Sequence, residues 1–138
     1  MSLKRRSYEA GHKPKFLVII DESPECDRAV YYASRRVARI GASLVMLLVI
    51  EPHDRHQQWL GVAGITPERL IRDGDTSEQI LKLIDEDEDI AILVLAAATG
   101  KEGPGPLVAS LGKVAGSYPI PVAIVPGHLG DEDLDALS

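Results

Sequence analysis

The stretch that decides the fold is Ala91–Gly127, AILVLAAATGKEGPGPLVASLGKVAGSYPIPVAIVPG. The apolar run Ile92–Ala97 is followed by a loop with three glycines and two prolines, a helical pattern and a second apolar run, Val122–Val125. This order predicts a fourth strand over Ile90–Ala97, a glycine-rich loop, a helix and another strand. If the two strands are parallel neighbours, the loop leads from the carboxyl end of a strand into a helix N-terminus. Open α/β sheets bind phosphate-bearing ligands at that place.

The bulk composition indicates one globular domain. The 138 residues are 45% hydrophobic and 26% charged, which suffices for a full core. A formal net charge of -6 argues against a nucleic-acid surface, which needs clustered basic residues. The single cysteine excludes an internal disulfide and fits a reducing compartment. No apolar run approaches the ~20 residues that a membrane helix needs, so we expect a cytoplasmic protein with no membrane partner.

A strand, helix and strand begin the folded part of the chain. Phe16–Ile20 and Ser43–Ile50 are uninterrupted apolar runs, typical of strands buried on both faces. Between them, an amphipathic pattern from about Glu25 to Ile40 predicts a helix that Gly41 ends. Such a unit has parallel strands and a right-handed crossover. The residues expected on the buried face of the helix are Val30, Ala33, Val37 and Ile40, and those expected away from it are Arg28, Arg35, Arg36 and Arg39.

The middle of the chain predicts an edge strand and a second helix. Glu68–Arg72, a short run of mixed polar and apolar residues, is predicted to be the edge strand. The sequence Asp75–Glu78 has the spacing of a capping box, so a helix is expected to run from there to about Glu86. The acidic run Asp85–Asp89 is interpreted as a solvated turn rather than a metal site. The residues expected to face inward are Ile80, Leu81 and Ile84.

The remaining segments set the domain limits. Residues 1–14 are expected to be a flexible arm, residues 15–127 the folded domain, and residues 128–138 an acidic, frayed tail. Pro106–Ser117 is predicted to be a helix and Pro121–Val125 the last strand, at a sheet edge because proline cannot donate to a ladder. Residues 51–67 lack periodicity. Their histidines, His53 and His56, are interpreted as exposed loop residues rather than metal ligands.

Four segments together resemble the universal stress protein family over about Lys15–Gly127. They are LVIIDESPECDRAVYYA from Leu17, LVMLLVIEP from Leu44, RDGDTSEQILKLI from Arg72, and SYPIPVAIVPG from Ser117. The resemblance implies a three-layer, doubly wound α/β fold of the Rossmann-like, adenine nucleotide alpha hydrolase-like type. Its open parallel sheet has five strands in the order 3-2-1-4-5. Many members of the family are homodimers paired along strand five, which here is Pro121–Val125.

This strand order implies one crevice. Strands one and four become neighbours where the winding reverses, so Asp21 and the loop from Ala97 to Pro106 meet outside their carboxyl ends. In nucleotide-bound relatives, the first-strand aspartate and a second-strand residue lie against the nucleoside, which nominates Asp21 and Ile50. The alternative role for Asp21 is capping the turn that follows it, and Ser23 is interpreted as a helix cap.

The glycine pattern of nucleotide-binding relatives is degenerate here. Their loop has the form Gly-x2-Gly-x9-Gly followed by Ser or Thr. One register keeps the spacing without glycine, at Ala96, Thr99 and Ala109. A register that starts at Gly100 reaches Gly103, but Lys113 stands where the third glycine belongs. A methyl adds little bulk where glycine is expected, whereas the β-branched threonine adds more.

The resemblance therefore implies a site for ATP or a related adenine nucleotide, with Mg²⁺ if one is bound. The alternative is a loop that only makes a turn. The residues expected at the site are Asp21, Ile50, Ala96, Thr99, Gly100, Lys101, Gly103, Gly105, Ala109 and Ser110. No catalytic residue or metal ligand is assigned, because no triad or acid-base pair of carboxylates is recognisable.

The function implied is a stress-response binding or signalling module rather than an enzyme. A homodimeric interaction protein that has lost ATP binding is the alternative. A slow ATP hydrolase is a third option, for which the sequence offers no general base.

Overall fold

The computed structural model describes residues 13–20, 25–50, 68–98, 108–109, 111, 116 and 118–138, and only the backbone of Ile50. Five strands and three helices lie entirely within these ranges. In chain order they are β1 (Lys15–Ile20), α1 (Cys26–Ile40), β2 (Ser43–Ile50), β3 (Glu68–Asp73), α2 (Thr76–Glu86), β4 (Ile90–Ala97), β5 (Val122–Pro126) and α3 (Asp131–Leu137). The predictions for residues 1–12 and 51–67 lie outside the described residues. The expected cap at Ser23 is wrong, because the N-cap of α1 is Glu25.

The five strands form one all-parallel sheet in the order β3-β2-β1-β4-β5, which confirms the predicted fold. β1 is central, with Phe16 beside Leu44 of β2 and Ile92 of β4. The register between β1 and β4 shifts by one residue between Lys15 and Phe16. β2 and β4 have the predicted bounds, and β3 and β5 are the edge strands. β5 is displaced by one residue from its predicted limits.

Helices cover both faces of the sheet because its strands are apolar on both faces. Phe16, Val18 and Ile20 belong to the cluster that α1 covers. Leu17 and Ile19 belong to the cluster that α2 covers. All five side chains are at most 4% exposed. Residues 108, 109 and 111 are helical, in agreement with the helix predicted over Pro106–Ser117. Apart from residue 116, the other residues of that range lie outside the described part.

Helix α1 follows the prediction except at its last residue. Val30, Ala33 and Val37 are buried, but Ile40 is 44% exposed. Ile40 has the angular position of the buried stripe, yet it is the final residue of the helix and the chain turns away at Gly41. Gly41 has a φ of 72°, and its N–H donates to the carbonyl of Val37, so glycine ends the helix as expected.

Helix α2 begins at the predicted cap. The Asp75 carboxylate accepts a hydrogen bond from the N–H of Glu78 at 3.1 Å. One inward residue was predicted wrongly, since Leu81 is 40% exposed and Leu83 is buried. Neighbouring residues on an α-helix differ by about 100°, so Leu81 points away from the side on which Ile80 is buried.

The frayed tail is a wrong expectation for residues 131–138. Helix α3 occupies this segment, and Leu134 is fully buried against the α1 cluster. Three acidic residues in the first turn favour this helix because they complement its dipole. The N–H of Gly130 also donates to the Asp133 carboxylate at 3.2 Å. Composition alone suggested disorder, whereas the buried Leu134 provides the apolar anchor.

None of the helices described is both long enough and apolar enough to cross a lipid bilayer.

Candidate functional site

The predicted crevice lies at the carboxyl edge of the sheet, where β1 and β4 are neighbours. In the described part of the chain, the ladder between these strands runs to Val18 and Val94. The flanking ladders run further, to Ile20 with Leu48 and, on the other side, to Ala97. The pairs β1–β2 and β4–β5 therefore remain hydrogen-bonded further toward the carboxyl edge than the pair β1–β4, whose ladder ends earlier. This is the geometry of a ligand crevice at the point where the winding reverses.

The exit of β5 is pinned against the same edge. The N–H of Gly127 donates to the carbonyl of Ala97 at 3.0 Å. A Cβ added at Gly127 would lie 2.6 Å from the Cβ of Glu25 and 2.9 Å from the Ala97 carbonyl oxygen. The end of β4, the exit of β5 and the start of α1 therefore meet closely, and glycine is needed at their junction.

Three of the ten predicted site residues lie within the described part of the chain. Ile50 ends β2 and Ala96 lies near the end of β4, so both are at the carboxyl edge, on strands separated by β1. Ala96 is partly buried and packs against the α1 cluster. Ala109 is helical and exposed. The other predicted site residues, which lie outside the described residues, are Asp21, Thr99, Gly100, Lys101, Gly103, Gly105 and Ser110.

Cys26 is the first residue of α1, and its side chain is 2% exposed. Its Sγ is 3.7 Å from the carbonyl oxygen of Ile19. A buried thiol of this kind is unreactive and serves as a small packing residue.

Arg28 is a cation near this edge that the sequence interpretation did not assign to the site. It lies in the first turn of α1, and its guanidinium contacts the carboxylates of Asp27 at 2.9 Å and Asp131 at 2.7 Å. Hydrogen bonds to Asp27 and then to Asp131 raise the pKa of Arg28, so it stays charged. The helical pattern placed Arg28 off the buried stripe, and only the fold reveals its partner on α3.

A second concave region lies beside the edge strand β3 and the end of α2. It is an open depression of about 360 Å³. The residues that line it are Glu68, Leu70, Arg72, Leu83, Glu86, Asp87 and Glu88. Among the residues that the structure describes, no group of three or more His, Cys, Asp or Glu side chains is arranged to hold a metal ion.

Ion pairs compensate the acidic run beside this depression. Arg72 Nη2 lies 2.8 Å from Glu86 Oε2, and Lys15 Nζ lies 2.9 Å from Asp87 Oδ2. The hydrogen bond from Arg72 lowers the pKa of Glu86. The hydrogen bond to Asp87, with a smaller contribution from Glu68, raises the pKa of Lys15. The run was interpreted as a solvated turn. In the structure Asp85, Glu86 and Glu88 are exposed, and Glu86 and Asp87 have basic partners.

The Arg72 and Glu86 pair predicts an acid-sensitive contribution to stability. Because the folded-state pKa of Glu86 is lowered, its contribution is present above the ordinary value of about 4.3 and is lost as pH falls through the lowered pKa. We expect the melting temperature of Glu86→Gln to fall less than that of the wild type between about pH 5 and about pH 3. Asp85→Asn, in the same last turn, is the control and should keep the wild-type slope. Equal changes in both variants would contradict the assignment to this pair.

The junction at Gly127 predicts a local steric effect. Gly127→Ala should reduce the free energy of unfolding by about 1–3 kcal/mol, because the Ala97 carbonyl is backbone and cannot move aside cheaply. Gly116→Ala is the matched control, since a Cβ there meets no atom within 4 Å. Urea denaturation of both variants tests the difference. A Gly127→Ala protein as stable as the control would show that the three elements do not meet as described.

Solved structures with the same fold include several universal stress proteins. The universal stress protein UspA from Lactobacillus plantarum matches 83% of this chain and 99% of its own length, with a TM-score of 0.64 and 18% identity. A universal stress protein in complex with cAMP matches 85% of this chain and 99% of its own, with a TM-score of 0.61 and 20% identity.

A third solved structure has the same fold. The universal stress protein from Archaeoglobus fulgidus matches 83% of this chain and 94% of its own, with a TM-score of 0.60 and 14% identity. No family model matches the sequence, and no curated protein matches it. The resemblance noted in the sequence is therefore confirmed at the level of architecture: this chain has the fold of the universal stress proteins.

Proposed function

We propose that the protein is a stress-response binding or signalling module that takes an adenine nucleotide at the crevice beside β1 and β4. The observation that carries the proposal is the reversal of winding between these strands, with their shared ladder ending at Val18 and Val94. A structural neighbour with 20% identity is a complex with cAMP, which supports an adenine nucleotide as the ligand class.

The ligand would contact the carboxyl edge through the residues named from the sequence. Ala96 stands where nucleotide-binding relatives have glycine, and its methyl is small enough to leave the backbone accessible. Asp21 and Ile50 would lie against the nucleoside, and the loop with Gly100, Lys101 and Gly103 would surround the phosphates. With ATP as the ligand, Mg²⁺ would accompany the phosphates. We place the protein in the cytoplasm and assign it binding rather than catalysis.

The alternative function is a nucleotide-independent interaction through a homodimer. β5 is an edge strand, and its Ile124 is 48% exposed. An exposed apolar residue on an unpaired strand edge favours association with another strand. In this alternative the crevice holds no nucleotide and the dimer surface carries the function.

Nucleotide binding predicts a thermal stabilisation. ATP with magnesium, or cAMP, at 100 times its dissociation constant should add about 2.7 kcal/mol to the free energy of unfolding. Gly103→Val should abolish the shift, because a β-branched side chain would hinder the approach of phosphates to the backbone. Gly116→Ala again serves as the control and should bind like the wild type.

Two results would separate the alternatives. The absence of a shift at millimolar ATP and cAMP would contradict the nucleotide proposal and favour the interaction protein. A shift that Gly103→Val leaves unchanged would move the nucleotide away from this loop.

Pairing through β5 predicts a change of mass on mutation. Ile124→Asp should convert a dimer to a monomer, because it would bury a carboxylate at the strand interface. Ile71→Asp is the matched control, since Ile71 is 57% exposed on the opposite edge strand, β3. Light scattering measures the mass of each protein. A monomeric wild type, or a dimeric Ile124→Asp protein, would contradict pairing along β5.

A further inference from the structure

The C-terminal helix α3 lies along α1, and its acidic side chains face arginines of that helix. Asp131 Oδ1 lies 2.7 Å from Arg28 Nη1. Asp135 Oδ1 lies 2.9 Å from Arg35 Nε and accepts a hydrogen bond from the Tyr31 hydroxyl at 3.0 Å. The two carboxylates, four positions apart, therefore engage one continuous surface of α1.

Backbone carbonyls of the same segment add to this contact. The carbonyl of Leu129 accepts a hydrogen bond from Arg28 Nη1 at 3.3 Å, and that of Ser138 accepts one from Arg36 Nη1 at 3.2 Å. The contacts follow the same order along both segments, so α1 and α3 run in parallel. Charged side chains of α1 thus contact the C-terminal segment from its beginning to its end.

One apolar side chain anchors α3. Leu134 is fully buried, whereas Leu137 is 64% exposed. The helix has 7 residues, fewer than the ~12–15 at which an isolated helix becomes even marginally stable in water. Its structure therefore depends on docking to α1. Elements with few buried apolar contacts are those that tend to open locally at a lower free energy than global unfolding.

The charges of the two helices are complementary and unusual for this chain. α1 contains four arginines and one aspartate, a net charge of +3, although the whole chain carries -6. Residues 131–138 contain four acidic residues and no basic one. Complementary charge of this kind selects partners and sets the register of association.

We propose that the arginine face of α1, defined as Arg28, Tyr31, Arg35 and Arg36, is a docking surface for an acidic helical segment of a partner protein. In the isolated chain, α3 occupies this surface as an autoinhibitory strap. The partner segment would present two carboxylates four residues apart with a leucine beside them, as α3 does. Because the strap is tethered, its effective concentration is high, and the surface becomes available only when α3 undocks.

The test uses full-length chains and a fluorescent peptide of residues 128–138, HLGDEDLDALS, at low ionic strength. Leu134→Asp removes the anchor of the strap, and the double variant Asp131→Asn, Asp135→Asn removes its charges but keeps the anchor. Leu137→Asp is the control on the exposed side of α3. We expect the peptide to bind the two disabled chains at least about tenfold more tightly than the wild type or the control.

Further measurements make the outcome decisive. Adding Arg35→Gln to the double variant should weaken the peptide again, and added salt should weaken it in every chain. If Leu134→Asp does not fold, as judged by circular dichroism, the double variant decides. Equal binding to all chains, or binding to none of them, would overturn the proposal. These outcomes do not depend on whether nucleotide binds at the carboxyl edge.

Discussion

The burial of β1 on both faces is the constraint on which the rest of the structure depends. A strand with no polar face needs a hydrogen-bonding neighbour on each side and a helical layer above and below. β2 and β4 provide the neighbours, while α1 and α2 belong to the two layers. Once β1 lies between the first and second halves of the chain, the winding reverses beside it. The location of the crevice thus follows from the way in which β1 is paired and buried.

Ion pairs lie at two separate places in the fold. Beside β3 and the end of α2, the basic Lys15 and Arg72 neutralise carboxylates that follow α2 or end it. A carboxylate at a helix C-terminus opposes the dipole, so these pairs remove an unfavourable interaction. Near the carboxyl edge, Arg28 has Asp27 and Asp131 as partners. Although the net charge of the chain is negative, its basic side chains form specific ion pairs at both places.

Long apolar runs made the strands of the sheet predictable. Helix burial, the C-terminal helix and the site were harder to predict because no such runs mark them. SLVMLLVI and IAILVLAA are almost entirely apolar runs of the length typical of buried strands, and β2 and β4 have the expected bounds. Burial at a helix end depends on where neighbouring elements stop, which explains Ile40. Leu81 lies in the middle of α2 and is rotated about 100° from the buried Ile80. The C-terminal helix was missed because its acidic composition resembles disorder and a single Leu134 holds it. The site was predictable only as an edge of the sheet, because its loops lack a full glycine pattern.

The pairing of β1 with β4 also affects how the chain acquires its structure. Phe16 lies beside Ile92, 76 positions later in the sequence. Contacts so distant in sequence require closure of a long loop before they give any stability, which slows folding. During synthesis, β1 emerges long before β4, and one of its edges lacks its final partner until then. Until β4 pairs with it, that nascent apolar edge is the part of the sheet most exposed to association with other chains.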